Sequence, residues 1–266
     1  MGLRPLDPSA WLEVDDRFAS DLAEKERLLR DHHSAVVAVV DDPDGSVLVA
    51  STELLQRLLA HLELPGSAAA ADAHPIDAAG RLTQEDWCLH LPDDDGSWRL
   101  VAASVCFPTR WNLDEKIGRT IRQIHAPVPF YEEQLADPMD GYFARMRPGQ
   151  GVWRLNWNLM DDPTLHQPLR SRAGRPGVPL DPADVGEQIW LRVERQTLVK
   201  LPETGAIVFS IRIHEDPLDR LRGDDEALAR LQRSLEGLPP LVWEDKGLAG
   251  IGGQILEWIS DQRDPA

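Results

Sequence analysis

The sequence predicts an α+β fold, an antiparallel sheet with helices packed on it. Three pairs of alternating or apolar runs are each joined by a short turn-rich segment, as hairpins are. Helical segments fall between these pairs without a repeated strand–helix–strand unit, which argues against a parallel sheet. At 266 residues the chain can bury a substantial core, and we read residues 1–266 as a single domain with helical extensions at both ends.

Asp21 to Asp31 reads as a charged surface helix with Leu22, Leu28 and Leu29 facing inward. Ala35 to Val40 and Ser46 to Ala50, separated by Asp41-Asp42-Pro43-Asp44-Gly45, predict the first hairpin. Ser51 or Thr52 then caps a helix whose buried side is Leu54, Leu55, Leu58, Leu59 and Leu62. Ala, Pro and Gly dominate Pro65 to Gly80, which reads as a loop or lid. Trp87 to Leu91 and Trp98 to Phe107 flank Pro92-Asp93-Asp94-Asp95-Gly96 and form the second hairpin. Helices are expected over Leu113 to His125 and over Tyr131 to Met146, the latter broken at Pro138.

Val152 to Met160 alternates, with Trp153, Leu155, Trp157 and Leu159 on one face and Arg154, Asn156 and Asn158 on the other. Gln167 to Pro182 reads as a loop. Ile189 to Val199 and Ala206 to Ile213 make the third hairpin, which puts Glu194 and Gln196 on the face opposite Arg195 and Thr197. Two helices, Asp224 to Glu236 and Lys246 to Ser260, close the chain, and Gly250-Ile251-Gly252-Gly253 is read as a helix entry.

Composition removes several function classes. The chain has 28 Lys and Arg against 45 Asp and Glu, a net charge of −17, so it lacks the basic surface that nucleic acid requires. That charge favours a cationic substrate or a basic redox partner. The two cysteines, Cys88 and Cys106, have no Cys/His cluster around them, which argues against a structural zinc or an iron-sulfur cluster held by this chain. The eight histidines show no HExxH spacing, and no GxSxG is present, so zinc chemistry and serine hydrolysis rank low. Without a long apolar run or a signal-peptide core, a cytoplasmic location is the expectation.

The most informative cluster is His125-Ala126-Pro127-Val128-Pro129. At about 100° per residue, Leu113, Ile117, Ile121 and Ile124 share one helical face while Lys116, Arg119 and Arg122 occupy the other. Ala126 before Pro127 ends the helix near the histidine. A haem needs an axial ligand, an apolar wall and cations for two propionates, and all three residue types are present. The same pattern also describes a histidine that merely compensates a helix carboxyl end. On the strands, Arg195 among apolar neighbours demands a nearby carboxylate, propionate or ligand anion. Arg154, Asn156 and Trp157 suit either a pocket wall or an ordinary half-buried strand.

Ala103 to Pro108, Trp111, Lys116-Ile117-Gly118, Ile124 to Pro129, Arg154-Leu155-Asn156-Trp157, and Arg192 to Leu198 with Leu201-Pro202 together resemble the haem-dependent oxidative N-demethylase family. The resemblance implies a PAS-like antiparallel sheet that binds haem b and removes a methyl group from a secondary amine such as dimethylamine, with dioxygen as co-substrate. It implies NADPH, flavin and iron-sulfur centres only through partner proteins. His125 becomes the expected iron ligand, and Lys116, Arg119, Arg122, Arg154 and Trp157 the expected haem contacts. Glu194, Arg195 and Asn156 become the expected catalytic residues, Glu194 toward the amine and Arg195 toward oxygen. A haem sensor or carrier without turnover, or a haem oxygenase of a specialised metabolite, is the alternative.

Overall fold

The computed structural model describes residues 2–68, 73–169, 181 and 184–263. Its strands are β1 (Arg4–Pro5), β2 (Val37–Val39), β3 (Asp86–Pro92), β4 (Trp98–Ser104), β5 (Gly151–Met160), β6 (Trp190–Lys200) and β7 (Ile207–Pro217). They form one antiparallel sheet in the order β1-β5-β6-β7-β3-β4-β2. The five strands of seven or more residues therefore run 2-1-5-4-3 in chain order, the order of a PAS-like sheet. This is the α+β class that the hairpin pattern predicts.

Around the sheet lie α1 (Phe18–Asp31), α2 (His33–Val36), α3 (Ser46–His61), α4 (Pro75–Leu82), α5 (Ile121–His125), α6 (Tyr131–Gln134), α7 (Ala136–Arg145), α8 (Val185–Gln188), α9 (Asp225–Glu236), α10 (Pro240–Asp245) and α11 (Gly252–Arg263). Among the described residues, no helix is long and apolar enough to cross a membrane.

Four sequence expectations are corrected. Ser46 to Ala50 is not a strand but the first turn of α3, because the Asp42 carboxylate accepts the N–H groups of Val47 and Leu48 at 3.1 and 2.9 Å. This places the cap ahead of Ser46 and leaves Ser51 buried inside the helix. Pro75 to Leu82 is the helix α4 within the expected loop, with Pro75 at its first position and His74 Nδ1 accepting from Ile76 N–H at 3.3 Å. Most of the other expected loop, Gln167 to Pro182, lies outside the described residues. The third correction concerns Leu113 to His125. A 3-10 turn covers Leu113–Glu115, Gly118 sits at φ 74°, and α5 starts anew after Thr120. Thr120 and Gln123 form a reciprocal capping box, a stop-and-restart signal written in the sequence as T-x-x-Q. Pro138 does not break a helix: it lies in the first turn of α7, where a missing N–H costs nothing.

The chain forms two compact units. The first comprises Met1–Leu155, Leu165–Arg170 and Glu194–Ile213. Its main core packs Leu28, Leu54, Leu58, Ile76, Leu89 and Val208 around Trp11 and Trp87, whose rings meet edge-on at 5.6 Å. A buried charge is built into it. Lys25 on α1 donates from Nζ to the carbonyls of Gly80, Thr83 and Glu85 and stands 3.4 Å from Asp86. Asp86 in turn accepts the N–H groups of Cys106 and Phe107 at 2.9 and 2.8 Å, fixing the path of the chain after β4.

The second unit comprises Asn156–Thr164, Ser171–Val193 and His214–Ala266. Leu159, Val185, Ile189, Leu228, Leu235 and Ile259 make its core with Trp258. Arg192 and Glu215, both almost fully buried, pair there at 3.5 Å.

Candidate functional site

Four elements of the first unit converge on His125. It is the last residue of α5, and its Nδ1 lies 2.9 Å from the Ile121 carbonyl. A carbonyl only accepts, so Nδ1 carries the hydrogen and the neutral ring presents Nε2 as its lone pair, the tautomer that ligates a metal. Burial pushes the His125 pKa down; the Ile121 contact opposes this, and the cations Lys116 and Arg154 add to it. The neutral form of the imidazole is thereby favoured.

Tyr131, the first residue of α6, lies parallel to that imidazole, with ring centroids 4.6 Å apart and planes 12° from coplanar. Its hydroxyl is buried and has no hydrogen-bond partner among the described residues. His90 on β3 is another imidazole, and this one is buried. Its pKa is lowered to about 4, mainly by burial and in part by His125, while its Nδ1 contact to the Ile207 carbonyl at 3.3 Å opposes the shift.

From the sheet come β5 and β6. Arg154 Nε donates to Gln196 Oε1 at 2.8 Å, and Gln196 Nε2 donates to Glu194 Oε2 at 2.7 Å. One amide thus bridges a guanidinium and a carboxylate across two strands. Burial lowers the Arg154 pKa and Glu194 counters it. The alternation of β6 places Glu194 and Gln196 together on this face, as the sequence predicts.

The expected cations separate into two kinds. Lys116 donates to the Ile124 carbonyl at 2.6 Å, and with Arg119 it lines an open cleft of about 300 Å³ together with Glu115, Gln123, Ile124 and Pro127. Arg122 is engaged elsewhere: it pairs with Glu132 at 2.6 Å, with Asp140 at 2.7 Å and with Asp137. Those three carboxylates raise its pKa and tie α5 to α6 and α7. Arg195 finds the carboxylate its burial demands in Glu13, 2.9 Å away, and also donates to the carbonyls of Ala10 and Trp11. Its guanidinium lies over Trp153, on the other side of β6 from Glu194. Asn156 and Trp157 belong to the second unit, where Lys246 Nζ lies 4.8 Å from the Trp157 ring centroid and donates to the Trp157 carbonyl.

The residues present fit a haem. The site offers a neutral imidazole with Nε2 as its lone pair, partly buried Ile117 and Ile124 for an apolar wall, Lys116 and Arg119 for propionates, and an orphaned buried hydroxyl at Tyr131. His90 and the bridging role of Gln196 are not apparent from motif spacing, because each arises from a contact between strands distant in sequence, and Tyr131 is not, because it depends on the path of the turn that follows His125. Only the two prolines before Tyr131 hint that the chain doubles back there. The family model described as haem-dependent oxidative N-demethylase, alpha subunit-like, matches residues 63–256, a span that holds His90, His125, Tyr131, Arg154, Glu194 and Gln196. The chain belongs to this haem-dependent oxidative N-demethylase, alpha subunit-like family.

Proposed function

We propose that this chain is the haem-bearing subunit of an oxygen-dependent demethylase acting on a small secondary amine such as dimethylamine. The products are the primary amine and formaldehyde, and the electrons come from NADPH through flavin and iron-sulfur partner proteins. The observation that carries this reading is His125, a half-buried imidazole whose neutral form is favoured and whose ring is oriented within the same unit as the Arg154–Gln196–Glu194 chain.

Bound haem b supplies the iron that activates dioxygen. His125 Nε2 would hold the iron, and Lys116 and Arg119 would neutralise the propionates. Arg122 is omitted from that set because three carboxylates already occupy it. Glu194, 6% exposed, would hold the substrate ammonium and accept its proton. Gln196 fixes the Glu194 carboxylate, and Arg154 fixes Gln196. Arg195, neutralised by Glu13, keeps the amino-terminal segment on the sheet.

The test is haem titration of the purified chain followed by turnover with dimethylamine, dioxygen and a mediated electron donor, with formaldehyde as the readout. The expected result is a defined Soret band, lost or displaced in His125→Ala, and amine-dependent formaldehyde that falls in Glu194→Gln through a higher KM. An unchanged Soret band in His125→Ala sinks the ligand assignment. Haem binding without amine-dependent turnover assigns the chain to a sensor or carrier instead.

A further inference from the structure

Between His125 and Tyr131 the chain makes two successive turns. Val128 N–H donates to the His125 carbonyl at 2.8 Å, and Tyr131 N–H donates to the Val128 carbonyl at 3.1 Å. Pro127 and Pro129 fix φ at two of the intervening positions. Phe130 then takes a left-handed conformation at φ 61°, ψ 10°, which a residue with a side chain adopts only under constraint. The outcome is that Tyr131 doubles back and lies flat on the imidazole six positions earlier. Tyr131 is 4% exposed, and its hydroxyl is buried without a hydrogen-bond partner among the described residues.

Neither fact is explained by packing alone. Apolar contact would be satisfied by any large side chain at 131, without the strained turn. A buried hydroxyl lacking a partner is costly, and phenylalanine would avoid that cost. Arg122 adds a third element, since its pairs with Glu132 on α6 and with Asp137 and Asp140 on α7 hold the segment after the turn against α5.

We propose that Tyr131 is the positioning residue for His125: its ring sets the plane of the imidazole, and its hydroxyl receives its hydrogen-bond partner when haem enters. This rests on the reading of His125 as the iron ligand. Tyr131 itself touches the ligand side chain, and its effect on the reaction passes through His125.

The experiment compares wild type, His125→Ala, Tyr131→Phe and Tyr131→Leu on the full chain. Each is checked for fold by circular dichroism and thermal unfolding without haem, then titrated with haemin and examined by optical and ferric electron paramagnetic resonance spectroscopy. Tyr131→Phe keeps the stacked ring and loses the hydroxyl, so it should retain the wild-type resonance spectrum while binding haem about three- to tenfold more weakly. Tyr131→Leu loses both and should give a heterogeneous axial signature at an unfolding temperature near that of Tyr131→Phe. Rescue of the signature by Phe but not Leu is what a merely space-filling role would not produce. Unchanged affinity in Tyr131→Phe overturns the hydroxyl assignment, and a wild-type spectrum in Tyr131→Leu overturns the positioning role. Failure of the underlying reading looks different: wild type takes up no haem, or His125→Ala matches it, and the Tyr131 proposal falls with it.

Discussion

Replacing Gln196 with Leu, a side chain of similar reach, removes the amide that joins Arg154 to Glu194 and nothing else on that face of β6. The amide makes two hydrogen bonds to charged groups, at 2.8 and 2.7 Å. Bonds of that kind contribute about 1.5–3 kcal/mol each when the partners stay dry. Arg154 and Gln196 are only half-buried, so water replaces part of what is lost. Halving the sum leaves about 2 kcal/mol, a fall of about 4–8 °C in Tm for a chain of this size. Urea unfolding of the haem-free chain, followed by the fluorescence of its nine tryptophans, measures it. The sharper assay is a double-mutant cycle with Arg154→Met. If the three side chains act as one unit, the two substitutions should couple by about 1 kcal/mol, because once the bridge is gone the guanidinium has less left to lose. Additivity to within about 0.3 kcal/mol refutes the unit, and with it the idea that Arg154 holds Glu194 through Gln196.

Two further outcomes follow from the same geometry. Burial holds His90 at a pKa of about 4 in the fold against 6.5 for an exposed imidazole. The unfolded chain takes up a proton below about pH 6.5 that the fold refuses until about pH 4, so this contribution is complete above pH 6.5 and lost as the pH falls. The stability of His90→Phe should therefore drop by about 3 kcal/mol less than that of wild type between pH 7 and pH 4. Glu85 and Asp86, whose pKa values burial raises, act with the opposite sign and cancel in this comparison; parallel pH profiles would refute the assignment. Gly118→Ala meets no obstruction, its added carbon lying 3.7 Å from the Val40 side chain, but φ is 74°. The cost is conformational, about 1 kcal/mol, and should appear as a fall of about 2–4 °C in Tm.

What the sequence disclosed follows the range of its causes. The pairings β3 with β4 and β6 with β7 were legible because alternation and the turn segments ending in Gly96 and Gly205 are local signals. The faces of Glu194 and Arg195 followed from period two alone. Val47 to Ala50, apolar and flanked by turn residues, fits strand or helix equally, and the Asp42 carboxylate decides it from five residues away. In Leu113 to His125 the periodic apolar stripe hid a Gly and a capping box that outweigh it. The partners of Arg195 and Lys25 lie far off in sequence, at Glu13 and Asp86, so burial of a charge was predictable for Arg195 while its partner was not. His90 entered the site in the same way, through tertiary contact with Ile207, whereas Tyr131 entered it through a local turn whose path the spacing does not reveal.

The triple clasp on Arg122 has one more consequence. Its side chain is 38% exposed, and Glu132 and Asp137 are 64% and 89% exposed, so dissolved ions reach every partner except the half-buried Asp140. Attraction between such groups weakens as ionic strength rises. The stacked His125–Tyr131 pair is thus braced from outside by a fastening that salt loosens, and the sharpness of the His125 environment becomes a function of the medium.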